Sequence, residues 1–330
     1  KYPAVRAGIC ESIRISALQL GLLSVQSTHS PDKPRHAPPL GTNDAHVKKQ
    51  PRKPQSWRII FYFCLQNNQF EFMIQPASKT ARIAYSLIAG IMIILFWRNI
   101  GFATTLLDMP GSSILGLSIK ALLLTLAVLI LTTVVVKPKE VFSFLGLSGN
   151  MLKGFGIALL CVLPLYLVFP FFGSLNTELT FTVFYDRCIL TGFKEELVFR
   201  ALMFGLLFRY AKTGFFWAVI LPALYFGSVH LYQGHDALSS LAAFGVTFIG
   251  ALYFSWMYVE WNFNIWIPVG LHILMNGAWH IFIMEGTEVA AGGLISNMAR
   301  IVSMALAIAI TVYYHKRRGE KVLDYPIWKF

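Results

Sequence analysis

The sequence is short of charge, shorter still of acidic charge, and has little cysteine. Only 13% of its 330 residues are charged, and 16 Asp and Glu stand against 28 Lys and Arg. Soluble domains carry about a quarter charged residues, so a simple water-soluble enzyme is excluded: its surface could not be covered. The four cysteines (Cys10, Cys64, Cys161, Cys188) form no CxxC pair and no metal-ligand spacing. A zinc finger is thereby excluded, and no disulfide framework is offered. Sustained period-2 alternation is missing, which argues against a membrane β-barrel. The chain also has no HExxH, the helix signature that would decide for zinc.

What is abundant is apolar surface, at 56% hydrophobic residues. This favours a multi-pass membrane protein. The net charge of +12 is uneven, since residues 1–60 hold ten Lys and Arg against three Asp and Glu, with 7 of the 15 prolines. The runs 30–39 and 48–54 have neither helical nor strand period, and residues 1–72 are expected to be a basic, Pro-rich, disordered extension. Met73 is the first methionine and precedes a basic-then-apolar pattern. The native protein is therefore expected to start there.

From about residue 80 the chain reads as apolar blocks of bilayer length, about 20 residues each. Eight spans are expected: 83–105, 113–136, 154–173, 182–208, 214–233, 237–259, 263–284 and 294–314. The fold class is thus an all-α polytopic bundle. Residues 73–180 supply N-terminal transmembrane helices, 181–285 the core helices, and 286–330 the last transmembrane helix and a basic tail. Lys79, Arg82, Lys137, Lys139, Lys153, Arg209, Lys212 and Lys316–Arg318 then fall on one side, and Asp108, Glu178, Asp236, Glu285 and Glu288 on the other. The positive-inside rule places both termini in the cytoplasm, in the plasma (inner) membrane if the source is bacterial.

Charged residues inside a bilayer are costly and mark function. The fourth span carries Lys194, Glu195, Glu196 and Arg200. Glu196 and Arg200, four apart, share a helical face and can neutralise each other. Glu195 projects about 100° away and is left without that partner, free for proton chemistry. The fifth span carries Phe226 and His230 on one face, and the seventh His272 and Asn276. Each group alone suits helix packing as well as function. Together they imply one polar chamber inside the bundle. Its inventory fits peptide hydrolysis: a base for water, a group to hold water or a metal, and donors for an oxyanion.

Glu195-Glu196-x-x-x-Arg200, Phe226-x-x-x-His230 and His272-x-x-x-Asn276, in this order, resemble the motif set of the CPBP intramembrane proteases (CAAX protease and bacteriocin-processing, or Abi, family). The resemblance covers about residues 190–280. It implies a membrane-embedded endopeptidase with the active site inside the bundle. Glu195 would activate water, His230 would orient that water or ligate a metal, and His272 and Asn276 would stabilise the oxyanion. Glu196, Arg200 and Phe226 would support the site. Two readings of the cofactor stay open: a divalent metal such as zinc on Glu195, His230 and His272, or a glutamate-type protease without metal. The implied partners are the bilayer and a membrane-anchored or lipidated substrate, either a CAAX-type prenylated C-terminus or a bacteriocin-like peptide, with no nucleic acid. The alternatives are a transporter or proton relay using the same Glu and His cluster, and a non-catalytic immunity protein.

Overall fold

The computed structural model describes residues 10–16, 58–66, 69–76, 78–285 and 291–328. They divide into two compact units, residues 1–81 and 82–330.

In the first unit, β1 (Cys10–Ser16), β2 (Arg58–Gln66) and β3 (Gln69–Pro76) form an antiparallel sheet in the order β1-β2-β3. Ile13 lies opposite Phe61, and Tyr62 opposite Met73. The period-2 criterion misses β2 because Ile59-Ile60-Phe61-Tyr62-Phe63 is apolar or aromatic at every position. Its β-branched and aromatic content is what suits it to a strand. The runs 30–39 and 48–54 lie outside the described residues.

The second unit is a bundle of helices. After α1 (Lys79–Asn99) and the short α2 (Phe102–Leu106) come α3 (Ile114–Thr133), α4 (Val141–Phe144) and α5 (Met151–Phe172). The side chains of Ser113 and Asn150 cap α3 and α5 by accepting from Gly116 N and Lys153 N. A two-residue strand β4 (Ser174–Leu175) pairs with β5 (Phe282–Ile283). Residues 181–210 form one continuous helix with mixed winding. Its α-helical parts include α6 (Phe181–Phe184) and α7 (Thr191–Glu195), while Tyr185–Leu190, Glu196–Phe204 and Leu206–Tyr210 are π-helical. Then follow α8 (Phe215–Ser228), α9 (Ala237–Glu260), α10 (Trp266–Ile281) and α11 (Leu294–Arg318).

Among the described residues, six helices are long and apolar enough to cross a membrane: Lys79–Asn99, Ile114–Thr133, Met151–Phe172, Phe215–Gln233, Ala237–Glu260 and Leu294–Arg318. The other two expected spans correspond to the helix of residues 181–210 and to α10. The first is interrupted by Asp186, Arg187, Lys194, Glu195, Glu196 and Arg200, and α10 has only 16 residues. Length and apolarity alone therefore support six crossings rather than eight. The expected 83–105 span is also divided, since α1 stops at Asn99 and α2 begins anew at Phe102.

Large apolar side chains face outward: Phe171 is 84% exposed and Leu152 83%. A bundle that turns such groups out and its charges in is built for hydrocarbon surroundings. The chain is an integral membrane protein of polytopic helical architecture. Inside, α10 packs against α5 and the 181–210 helix, and α8 lies against α9. One apolar core gathers Leu197, Leu202, Phe204, Phe226 and Tyr258; another gathers Leu165, Phe169, Phe254, Met257 and Leu271.

Candidate active site

The 181–210 helix supplies the carboxylates. Glu196 and Arg200 are fully buried, with Arg200 Nε 3.1 Å from Glu196 Oε2. The pairing expected from their spacing is present. It is needed, because an isolated charge in an apolar interior is strongly unfavourable. Aromatic rings complete the enclosure: the Arg200 guanidinium lies 4.8 Å from the Phe226 ring centre and 5.3 Å from that of Phe254. Cation–π attraction strengthens when the cation is desolvated, as here.

His272 of α10 reaches the same pair. Its Nδ1 is 2.7 Å from Glu196 Oε1 and its Nε2 is 3.6 Å from Glu195 Oε2. Glu196 accepts only, so His272 Nδ1 carries the proton in that bond. The imidazole thus stands between two carboxylates that are neighbours in sequence. Glu195 shares neither the depth nor the ion pair of Glu196, and its side chain is 16% exposed. Glu195 is read from the sequence as lacking the Arg200 partner; the structure adds that it faces an imidazole. That contact depends on helix packing, which no spacing within one helix can reveal.

Close approach of the two helices makes the contact. A Cβ on Gly192 would fall 2.7 Å from Ile273 Cγ1 and 3.0 Å from Ile273 N. Only glycine lets the backbone of α10 come so near. From the other side, Tyr166 of α5 donates its hydroxyl to Leu274 O at 2.8 Å. Tyr166, Gly192 and Phe254 all hold the cluster, and the sequence does not single them out. In a chain with 15% aromatic residues, one Tyr or Phe is not distinctive.

His230 and Asn276 are placed differently. His230 lies just past the end of α8, with Nδ1 2.6 Å from Phe226 O and its ring 4.7 Å from the Phe226 ring. Its Nδ1 donates to that carbonyl, which leaves Nε2 as an acceptor. Phe226 therefore touches both His230 and Arg200. Asn276, one turn beyond His272, donates Nδ2 to Arg187 O at 3.0 Å. The structure thus brings Glu195, Glu196, Arg200 and His272 into one chain of contacts. Phe226 links His230 to it, and Asn276 ties α10 to the start of the 181–210 helix.

Among the described residues, no group of three His, Cys, Asp or Glu is arranged to hold a metal ion. Glu195 and His272 stand close, but His230 does not join them in such a group.

The family described as type II CAAX prenyl endopeptidase Rce1-like matches residues 176–278. A protein of Bacillus subtilis (strain 168) named "Putative membrane peptidase YdiL" is 37% identical over 82 residues, which are 25% of this chain. The match spans 29% of that relative's length. The 176–278 segment contains Glu195, Glu196, Arg200, Phe226, His230, His272 and Asn276. The polar cluster thus lies within the segment of the chain that is similar to the Rce1-like family.

Proposed function

We propose that the protein is a membrane-embedded endopeptidase that hydrolyses peptide bonds of membrane-anchored substrates. The observation that carries this reading is His272 held between Glu196 and Glu195. Glu195, the more accessible carboxylate, takes a proton from a water molecule as its oxygen attacks the scissile carbonyl carbon. The same carboxyl then returns the proton to the departing amine. Glu196, neutralised by Arg200, fixes His272 through Nδ1, so that Nε2 faces the reaction. Protonated there, His272 joins Asn276 as donor to the oxyanion. His230, anchored through Nδ1 on Phe226 O, offers Nε2 to position the water. No step is routed through a metal.

The Rce1-like match supports a lipidated substrate class. A lipidated C-terminal peptide, with its prenyl chain in the bilayer and the bond after the modified Cys in the chamber, suits it. In this reading the 181–210 helix and α10 cross the membrane together with the six apolar helices, which makes eight crossings with both termini cytoplasmic. The test is Glu195→Gln in proteoliposomes with a prenylated CAAX peptide. Loss of a general base lowers the rate by about 10²–10⁴-fold. Cleavage is expected to fall by that factor while the melting temperature of the variant stays unchanged.

A further inference from the structure

His272 and Asn276 share one face of α10. Leu274, midway between them, is turned about 160° from each, at about 100° per residue, and so lies on nearly the opposite face. That face is packed on α5. A Cβ on Gly270 would fall 2.8 Å from the Ala158 Cβ, so the two backbones meet closely there. Farther along the same seam, the Phe169 ring lies 5.2 Å from that of Trp279. Between these apolar contacts lies a polar one: the Tyr166 hydroxyl donates to Leu274 O at 2.8 Å. Apolar packing has little directional preference. A hydrogen bond weakens steeply when its distance or angle is lost, so this contact can fix how α10 is turned and how far along α5 it sits.

The bond needs an opening in α10. A helical carbonyl points along the axis toward the following turn, so Leu274 O emerges beside residue 277. A Cβ on Gly277 would fall 2.8 Å from the Tyr166 hydroxyl oxygen. The space that any other side chain at 277 would fill is thus the seat of the hydroxyl. The next nearest atom to that Cβ is Phe184 Cε2 at 3.8 Å, an ordinary contact distance. The seat therefore conflicts with the hydroxyl oxygen and not with the ring that carries it.

We infer that Tyr166 is a positioning residue for the hydrolysis. Its hydroxyl, seated at Gly277 on the Leu274 carbonyl, sets the rotation and axial position of α10, and through them the aim of His272 and Asn276. The inference rests on the endopeptidase reading above, in which those two side chains serve the oxyanion. Tyr166 acts from the far face of α10, through the helix, and takes no part in proton transfer.

The experiment measures kcat and KM, per mole of folded protein, for wild type, Tyr166→Phe, Gly277→Ala and the double variant. The substrate is a prenylated CAAX peptide in liposomes. Tyr166→Phe keeps the ring and removes the bond. Small misplacements at a reaction centre are costly in rate, so kcat is expected to fall about tenfold while KM stays within about twofold. One neutral hydrogen bond is lost, so the melting temperature in detergent should move by no more than about 4 °C. Gly277→Ala displaces the hydroxyl and is expected to reproduce the fall in kcat. In the double variant the methyl meets no hydroxyl and the bond is already gone. Its kcat is therefore expected to match that of Tyr166→Phe, rather than fall by the product of the two single effects. A wild-type kcat in Tyr166→Phe would overturn the positioning role and leave the endopeptidase reading intact. A raised KM at unchanged kcat would do the same, by placing Tyr166 in substrate binding. So would multiplied losses in the double variant, by showing that the two residues act separately. Absence of cleavage by the wild type would overturn both readings.

Discussion

Glu196 and Glu195 are adjacent in sequence and opposite in circumstance. Glu196 is fully buried between Arg200 and His272, whereas Glu195 has one imidazole contact and partial exposure. Their variants should fail in different ways. Glu195→Gln should remove cleavage and spare stability. Glu196→Gln leaves the Arg200 charge buried without its partner, which typically costs about 3–5 kcal/mol. A marked drop in the melting temperature in detergent is therefore expected. The double variant Glu196→Gln/Arg200→Met should recover much of that stability and none of the activity, because a volume-matched apolar replacement of a buried ion pair is often neutral. This contrast also marks what was legible at the scale of single residues. The Glu196–Arg200 pair could be read because four-residue spacing on a helix is a local rule. The His272 contact could not, because it depends on the register of α10 against another helix, 76 residues away in sequence. His230 was legible as a polar residue in an apolar block, but its partner is the Phe226 carbonyl rather than a gathered metal set.

At the scale of elements, two features position the chemistry. The 181–210 helix changes its winding, with a π-helical stretch beginning at Glu196. Such widened turns recur at functional sites, and nothing in the residue pattern announces this one. The second feature is the Gly192–Ile273 crossing. Gly192→Val should push α10 outward and separate His272 from both carboxylates. A displacement of about 1 Å at a reaction centre can cost about 10²-fold in rate. A loss of that order is expected in kcat, with the protein still inserted in the membrane. A third element carries a pH signature outside the membrane. Asp236 caps α9, accepting from Ser239 N at 2.8 Å and Ser239 Oγ at 2.9 Å. These bonds hold its carboxyl below the ordinary carboxylate range. The folded value lies below the unfolded one, so the cap contributes fully at neutral pH. It is lost only as the pH falls through the lowered folded value. Hydrogen exchange of the amides at 237–240 should speed up relative to the rest of α9 on acidification. In Asp236→Asn that pH-dependent change should be absent.

At the scale of the whole molecule, composition alone announces the class of protein. A chain with 13% charge and 56% hydrophobic residues must satisfy its backbone in helices and turn its few charges inward. The bundle does this, with Leu, Ile and Phe on the outside and the Glu196–Arg200–His272 chain inside. The span count was less legible, because the two helices that carry the site are the ones whose length or polarity departs from a plain apolar crossing. Strand β2 escaped notice for the opposite reason: it is too uniformly apolar to show alternation. The central claim is that this bundle hydrolyses a peptide bond with Glu195 as the base. The most direct measurement is cleavage of a prenylated CAAX peptide in liposomes made in ¹⁸O-water, followed by mass analysis of the products for wild type and Glu195→Gln. One heavy oxygen in the newly formed carboxylate with wild type, and no product with the variant, is the expected result. Undiminished cleavage by Glu195→Gln, or proton flux through the wild-type protein with no cleavage, would contradict it.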